Sequence, residues 1–369
     1  MSIMIFPGLE KSGNFYIIFI FINQLKNNCK VFARSGKRLL TKRDKNKPFI
    51  TVPRIRKRAA VISVVIFTLL IIEVVLRFFM GNLAVPYQIN PGDGRCIGLA
   101  PDAALKYTGW YRRVPPVIHD TNCFGYRGRA YPQNRRPGTF RIAVLGDSFV
   151  YGMGVNRECA MPVFIEQYLS QASGSRDIEV LNFGIPGINL AESVEQYKFF
   201  ARKWHPDLVL LLLMENDLSE SLCSQYERPL ATTLFRHVYL LRTAYLVYKL
   251  HAHHEKIQQK EKKQRLHRLL DSLGELYDLT GKNGAQAALV VLSNPLQKIV
   301  PLQSTTGELR IPTLDPGSGF WRDIAEVIPF EGHLTCRGNQ AVGGVIAEWL
   351  MARGLTQMEN KPIADGQNK

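Results

Sequence analysis

The sequence predicts an α/β fold, with a parallel sheet covered by helices on both faces, preceded by one transmembrane helix. Three observations lead to this prediction. A largely apolar stretch, Ala59–Met80, follows a basic N-terminal arm. From Arg141 onwards, short apolar runs alternate with amphipathic stretches, which is the pattern of repeating strand–helix units. One of these runs, Asp207–Met214, is apolar on both faces, as a central parallel strand must be.

The positive charge of the chain is concentrated in its first 58 residues. The formal net charge is +16, and residues 1–58 account for +12 of it, with 14 Lys and Arg against Glu10 and Asp44. The other 311 residues carry only +4. A nucleic-acid-binding domain would carry its positive charge on the folded body, so we expect no nucleic-acid partner.

Residues 59–80 are long enough to cross a bilayer, because 22 helical residues span about 33 Å. The 13 basic residues of Lys26–Arg58 place the preceding side in the cytoplasm by the positive-inside rule. We therefore expect a cytoplasmic arm (1–58), a single-pass anchor in the inner membrane (59–80) and an extracytoplasmic body. A buried soluble helix and a cleaved signal peptide are the alternatives, the second favoured by an uncharged core of only 14 residues.

The body begins with residues 81–138, which are rich in Pro, Gly, Arg and Tyr and are predicted to be an irregular lead-in packing on the next domain. That domain is predicted to cover residues 139–355, and residues 356–369 form a tail. The predicted strands are Arg141–Leu145, Ile178–Leu181, Asp207–Met214 and Ala287–Leu292. The predicted helices are Ala160–Gln171, Leu190–Lys203, a long helical region Leu240–Leu279, and Gly338–Arg353.

Four residues with chemical potential lie in loops that follow or face the carboxyl ends of these strands, where open α/β sheets bind ligands. Ser148 ends the run Gly-Asp-Ser after the first strand, and Gly184 lies in the loop after the second. Asn216 follows the third strand, and His333 precedes the last helix. Taken singly, they are a helix cap, two turns and a structural histidine. Together they could supply a nucleophile, oxyanion donors and a base.

The order Ser, Gly, Asn, His over Arg141–Arg353 resembles the SGNH/GDSL hydrolase family. The run Pro206-Asp207-Leu208-Val209 before the third strand is also similar to this family, as is the upstream run Asn122-Cys123-Phe124-Gly125-Tyr126-Arg127-Gly128. The resemblance implies a three-layer α/β/α, flavodoxin-like sandwich. It also implies ester hydrolysis through a covalent acyl-serine.

The resemblance carries roles to individual residues. Ser148 matches the family's nucleophile and His333 its catalytic base. The N–H groups of Ser148 and Gly184, with the side-chain amide of Asn216, match the oxyanion hole. The Gly-x-Ser-x-Gly elbow of the separate α/β-hydrolases does not occur around Ser148, which disfavours that family.

Two positions depart from the family pattern. Met214 stands where the third block usually begins with glycine, and Phe330 stands where the acid of the triad normally lies. Glu331 is the nearest carboxylate and is our candidate for orienting His333. Asp323, or a backbone carbonyl in a Ser–His dyad, are the alternatives.

The favoured function is a membrane-anchored extracytoplasmic serine esterase acting on an O-acyl group of a cell-envelope glycan or lipid. An O-acetyltransferase of an exported polysaccharide would use the same acyl-enzyme, with a sugar hydroxyl in place of water. A non-catalytic envelope binding protein with the same fold is the third possibility, which Met214 and Phe330 favour. We expect no cofactor and no metal, since the cysteine spacings match no zinc pattern. The sequence does not indicate an oligomeric state.

Five of the six cysteines follow the anchor: Cys96, Cys123, Cys159, Cys223 and Cys336. One or two disulfides are possible if this part of the chain lies in an oxidising compartment. Cys96–Cys123 is the first pairing to consider, and unpaired buried cysteines are the alternative.

Overall fold

The computed structural model of the chain describes residues 54–81, 84–109, 115–174, 177–214, 217, 222–223, 238–244, 259–292, 310–315, 323–328 and 332–356. The arm up to residue 53, Asn216, Phe330, Glu331 and the tail from residue 357 lie outside these ranges. Two units can be separated, residues 3–71 and residues 72–369, and their boundary falls inside the first helix.

The first helix, α1, runs from Arg54 to Phe79. Its stretch Val61–Phe79 has a mean hydropathy of 2.6, and none of its residues is buried. These 19 residues would span about 28 Å, close to the thickness of a bilayer core. By length and composition, α1 is a candidate membrane span.

Nine strands occur in the described residues. Four short ones precede the main sheet: β1 (Tyr87–Ile89), β2 (Ile97–Leu99), β3 (Ala104–Tyr107) and β4 (Val117–Asp120). Five form it: β5 (Phe140–Leu145), β6 (Ile178–Asn182), β7 (Leu208–Leu213), β8 (Gln286–Val291) and β9 (Thr313–Leu314). The order in this sheet is β6-β5-β7-β8-β9, and every pair is parallel. The predicted parallel sheet is confirmed, and the two-residue β9 is an addition too short to leave an apolar pattern.

The remaining helices follow the strands of the main sheet. They are α2 (Ser148–Tyr151), α3 (Met161–Ser173), α4 (Leu190–Phe199), α5 (Gln259–Lys282) and α6 (Cys336–Ala352). Two of the three apolar core clusters cover the sheet, one on each face. Alternate residues of β5 show this division, because Ile142 and Val144 face α3 and α6, whereas Ala143 and Leu145 face α4 and α5. The three-layer α/β/α architecture is therefore confirmed.

The predicted helix Leu190–Lys203 is shorter than expected. It ends at Phe199, and a 3₁₀ turn follows at Ala201–Trp204. The change of path brings Trp204 into the core, where its ring contacts Phe183 and Phe200 at centroid distances of 5.5 and 5.0 Å. Two described helical segments correspond to the predicted region Leu240–Leu279. They are residues 239–244 and α5.

The prediction that residues 81–138 are irregular is wrong for part of this lead-in. Strands β1 and β2 form one antiparallel pair, and β3 and β4 form another. Each strand has only three or four residues, and such short segments leave little alternation in a sequence. The lead-in packs through Ile97, Leu99 and Tyr107 on Tyr151 and Ile185, which follow β5 and β6.

The predicted pairing Cys96–Cys123 is also wrong. Cys96 is bonded to Cys223, and Cys159 to Cys336, with Cα–Cα distances of 6.0 and 4.8 Å. Cys123 has a free, exposed thiol. The reason is a tight turn, in which the Gly125 N–H donates to the Asn122 carbonyl at 2.9 Å and leaves Cys123 at the surface.

One ion pair lies inside the fold, at the start of two neighbouring strands. Arg141 of β5 donates from Nε to Glu179 Oε2 of β6 at 2.6 Å, and neither side chain is more than 4% exposed. The other guanidinium nitrogens donate to three backbone carbonyls, those of Pro132, Gln133 and Trp204. The pair thus joins the lead-in to the sheet.

We expect Glu179→Ala to lower the free energy of unfolding by about 3–5 kcal/mol, because the substitution leaves the Arg141 cation buried without its counter-charge. Urea unfolding of the detergent-solubilised protein would measure this loss. The matched control is Glu275→Ala, which removes an exposed partner of Lys198 and should cost no more than about 1 kcal/mol. Equal losses in the two variants would contradict the importance given to the buried pair.

Candidate functional site

The turn after β5 presents Ser148 at the carboxyl edge of the sheet. Gly146 has a φ of 150°, and a Cβ atom there would lie 2.7 Å from Val150 Cγ2. Only glycine fits such a close approach with this backbone conformation. Asp147 then caps α2, because its Oδ1 accepts from the Phe149 N–H at 2.9 Å. Ser148 is therefore the first residue of a short helix, where N–H groups have no partner within the helix.

His333 lies beside Ser148, although 185 positions separate them in sequence. The distance from His333 Nε2 to Ser148 Oγ is 3.0 Å. Ser148 is 9% exposed and His333 is 4% exposed, so the contact is shielded from most of the solvent. The ring of Phe149 packs on the imidazole at a centroid distance of 5.5 Å. The two residues predicted as nucleophile and base are thus within hydrogen-bonding distance.

Backbone hydrogen bonds hold His333 on both sides. Its carbonyl accepts from the Ile328 N–H at 2.7 Å, and Val327 and Leu334 form an antiparallel bridge. Thr335 caps α6 by accepting from the Gly338 N–H at 3.1 Å. For Nε2 to accept the proton of Ser148, a neutral imidazole must carry its hydrogen on Nδ1.

Gly184 comes close to the nucleophile helix, but its N–H already has an acceptor. This N–H donates to Asn182 Oδ1 at 3.0 Å. A Cβ at position 184 would lie 2.4 Å from the Tyr151 nitrogen, so the backbone contact with α2 accounts for the glycine. Gly187, in the same loop, has a φ of 82°, and no described residue accepts a hydrogen bond from its N–H.

Two buried carboxyl groups, those of Asp147 and Asp217, lie close enough to influence each other. Asp217 Oδ2 accepts from the Met214 N–H at 2.6 Å, and the Asp217 N–H donates to the Met214 carbonyl at 3.1 Å. Burial raises the pKa of Asp217 well above its ordinary value, and the charge of Asp147 raises it further. The turn after β7 is thereby fixed next to the predicted donor Asn216, which lies outside the described residues.

Sequence reasoning gave no role to Arg127, which reaches the site from the lead-in. Its side chain is completely buried and donates to four backbone carbonyls. These belong to Tyr151, Gly152, Val155 and Ile118, at 2.8, 2.6, 2.7 and 3.2 Å. The first three follow Ser148 directly, so Arg127 fixes the path of the chain after the nucleophile. The sequence hint of this residue was the run Asn122–Gly128, which contains Arg127 and is similar to the family pattern.

His119 is a second buried group that sequence reasoning missed. Its Nδ1 lies 3.1 Å from the Ala84 carbonyl, and its Nε2 accepts from the Gly154 N–H at 3.2 Å. These partners require a neutral ring with its hydrogen on Nδ1. Burial lowers the pKa of His119 to about 3, and the positive charge of Arg127 contributes to this shift. A lone histidine in a Pro-rich segment carries no sequence signal for such a role.

Comparison with known proteins finds no matching family model and no matching curated protein. Several solved structures are similar. One is described as a lipolytic protein of the G-D-S-L family from Desulfitobacterium hafniense DCB-2, at 15% identity over 57% of this chain and 99% of that one, with a TM-score of 0.35. The psychrotrophic esterase EstA from Pseudoalteromonas sp. shares 15% identity over 58% of this chain and 98% of that one, with a TM-score of 0.38.

A two-domain esterase active on acetylated mannans shares 16% identity over 61% of this chain and 52% of that one, with a TM-score of 0.38. The fold and the site thus define a three-layer α/β/α protein that has a buried serine–histidine pair at the carboxyl edge of its sheet. In this it resembles the SGNH/GDSL hydrolases, the type that the sequence also predicts.

We expect the stability of the protein to fall as the pH drops from about 6.5 towards 3, in part because of His119. In this window the unfolded chain binds a proton at His119, whose ordinary pKa is 6.5, whereas the folded chain does not. The contribution amounts to at most about 1.4 kcal/mol per pH unit. The free energy of unfolding, measured by urea titration between pH 4 and 7, should therefore depend less on pH in His119→Gln than in the natural chain. Identical pH dependence in both proteins would contradict this assignment.

Proposed function

We propose that the protein is a serine esterase of the SGNH/GDSL type, with Ser148 as nucleophile and His333 as base. The observation that carries this proposal is the 3.0 Å contact between Ser148 Oγ and His333 Nε2 at the carboxyl edge of a parallel sheet. A hydroxyl paired with an imidazole is the arrangement that activates serine for attack on an ester carbonyl.

The proposed reaction has two halves. In the first, Ser148 Oγ attacks the carbonyl carbon while His333 Nε2 takes its proton, and the tetrahedral intermediate collapses as His333 protonates the departing alcohol. An ester bond to Ser148 replaces the bond to the alcohol. In the second half, water attacks the acyl-serine with His333 again taking a proton. The acid leaves, and the proton returns to Ser148.

The charge on the tetrahedral oxygen requires hydrogen-bond donors. The proposed donors are the Ser148 N–H, the Gly184 N–H and the Asn216 amide. Since the Gly184 N–H already donates to Asn182 Oδ1, it would have to be shared with the oxyanion. Each donor typically supplies about 3 kcal/mol of transition-state stabilisation. Glu331 stays our candidate for orienting His333.

We place the body outside the cytoplasm, attached to the inner membrane by residues 59–80. The basic arm before α1 supports this orientation through the positive-inside rule. The two disulfides support it independently, because such bonds persist mainly in oxidising compartments. A site held at the outer face of this membrane would meet acylated envelope glycans and lipids, so an O-acyl group on one of these is the proposed substrate.

Labelling with a fluorophosphonate, which reacts with activated serines, tests the proposal. The natural chain should be labelled at Ser148, and Ser148→Ala should not be labelled. His333→Gln should slow labelling by roughly a thousandfold or more, because the serine then loses its base. Ser170→Ala is the matched control at an exposed serine and should label at the natural rate. A folded chain that is not labelled, or labelling that survives in Ser148→Ala, would rule out this nucleophile.

The disulfide Cys159–Cys336 should affect activity more than Cys96–Cys223 does. Cys336 lies three residues after His333, and Cys159 lies in the 3₁₀ turn Arg157–Cys159 shortly after α2. Replacing both cysteines by Ser should therefore disturb the Ser148–His333 distance, and a displacement of about 1 Å can lower kcat by about a hundredfold.

The matched control replaces Cys96 and Cys223 by Ser. In both double variants the free energy of unfolding should be about 2–5 kcal/mol lower than in the natural chain. Only the Cys159–Cys336 variant should also lose kcat on a soluble acetyl ester at a temperature where both remain folded. Equal kcat values in the two variants would mean that the disulfide has no part in holding the site.

A further inference from the structure

Two charged residues lie within the apolar stretch of α1, near its C-terminal end. Glu73 and Arg77 form an ion pair at 2.9 Å, and the side chains are 16% and 53% exposed. Charged groups in a membrane-spanning stretch are costly unless they are paired or reach polar surroundings. The low exposure of Glu73 shows that something besides Arg77 covers it.

The residues that cover Glu73 come from a distant part of the chain, residues 238–244. Glu73 Oε1 accepts from the Tyr239 N–H at 3.0 Å, and Oε2 accepts from the Leu240 N–H at 2.8 Å. These N–H groups begin the helical residues 239–244, where backbone donors have no partner within the helix. The carboxylate thus satisfies them, as a capping side chain normally does.

Further contacts continue along the end of α1. Arg242 donates from Nη2 to the Gly81 carbonyl at 2.7 Å, and Thr243 Oγ1 lies 3.3 Å from Met80 Sδ. The ring of Tyr239 has two guanidinium groups nearby, that of Arg77 at 5.1 Å and that of Arg242 at 4.4 Å from its centroid. All these residues belong to the unit 72–369. The segment 238–244 is therefore attached to the last turns of α1 and to the two residues that follow it, Met80 and Gly81.

The position of Glu73 along α1 determines how deep the segment 238–244 would lie in a bilayer. Glu73 precedes the last residue of the apolar stretch, Phe79, by six residues, which corresponds to about 9 Å along the helix axis. If this stretch spans the bilayer, the Tyr239 and Leu240 N–H groups lie below its outer end. For a helix along the bilayer normal, they would then lie about 9 Å below the outer boundary of the hydrocarbon core, among the acyl chains of the outer leaflet.

The composition and exposure of the segment fit this level. Leu241 is 45% exposed, which is unfavourable in water for a leucine but favourable against lipid. The two arginines near Tyr239 have long side chains that can reach the headgroups from this depth by snorkelling. The neighbouring end of α1 also exposes apolar side chains, since Phe78 and Phe79 are 71% and 69% exposed.

We propose that residues 238–244 form a second membrane contact of this protein, embedded in the outer leaflet of a phospholipid bilayer and attached to α1 through Glu73. The inference rests on the proposal that α1 spans the membrane, and it does not depend on the esterase activity. Its consequence is that the body is held on the membrane surface at two points rather than at the end of a single tether.

The test places a fluorophore on the proposed contact in the full chain. Leu241→Cys is made in a chain whose Cys29 and Cys123 are replaced by Ser, is labelled with the environment-sensitive dye NBD, and is reconstituted into vesicles of phosphatidylcholine and phosphatidylglycerol. The matched control is Tyr277→Cys on α5, whose natural side chain is 38% exposed. NBD at position 241 should emit at shorter wavelength and be quenched by a lipid carrying a doxyl group on its acyl chain. NBD at position 277 should show neither effect.

Each other result overturns the proposal in a different way. Equal quenching at positions 241 and 277, in protein that floats with the vesicles, would show that the segment does not touch lipid. Protection of position 241 from an aqueous quencher without quenching by the doxyl lipid would show that another protein surface covers it. Failure of the protein to float with vesicles would remove the anchor itself, whereas fluorophosphonate labelling of Ser148 would be unaffected.

A second variant tests the part assigned to Glu73. Glu73→Gln keeps the size of the side chain but replaces one acceptor oxygen by an amide NH₂, which opposes the N–H groups of Tyr239 and Leu240. Quenching at position 241 should decrease in this variant while flotation with vesicles is retained. Undiminished quenching would contradict the attachment through Glu73.

Discussion

The buried guanidinium of Arg127 is the interaction on which the geometry of the site depends. A cation removed from water needs a full set of acceptors, and here most of them are carbonyls of the chain just after Ser148. Several carbonyls can converge on one guanidinium only if the loop that carries them has a single conformation. The lead-in is therefore part of the site, because it supplies Arg127 from outside the three-layer sandwich.

Burial keeps His119 neutral by lowering its pKa, and the charge of Arg127 adds to this effect. Its imidazole lies in the region that already holds the positive charge of Arg127, so a second charge there would be repelled as well as desolvated. In the neutral state, one ring nitrogen donates to the Ala84 carbonyl and the other accepts from the Gly154 N–H. The ring thereby joins the residues directly after α1 to the loop that follows the nucleophile.

The two disulfides connect the stability of the body with its proposed location. The two disulfides join segments far apart in sequence, 127 and 177 residues, and such bonds require an oxidising compartment to persist. The one near His333 also fixes the start of α6. The position proposed for the body, outside the cytoplasm, would keep both bonds oxidised.

The sequence by itself determined the layers of the fold, the candidate span and the positions of Ser148 and His333 at loops of the sheet. Apolar periodicity and loop position are local properties, and a parallel sheet brings the carboxyl ends of its strands to one edge. Only the tertiary structure decided which cysteines pair, which hydrogen-bond partners Arg127 and His119 have, and that the Gly184 N–H already has an acceptor. These depend on distances between segments remote in sequence, and local pattern carries no information about such distances.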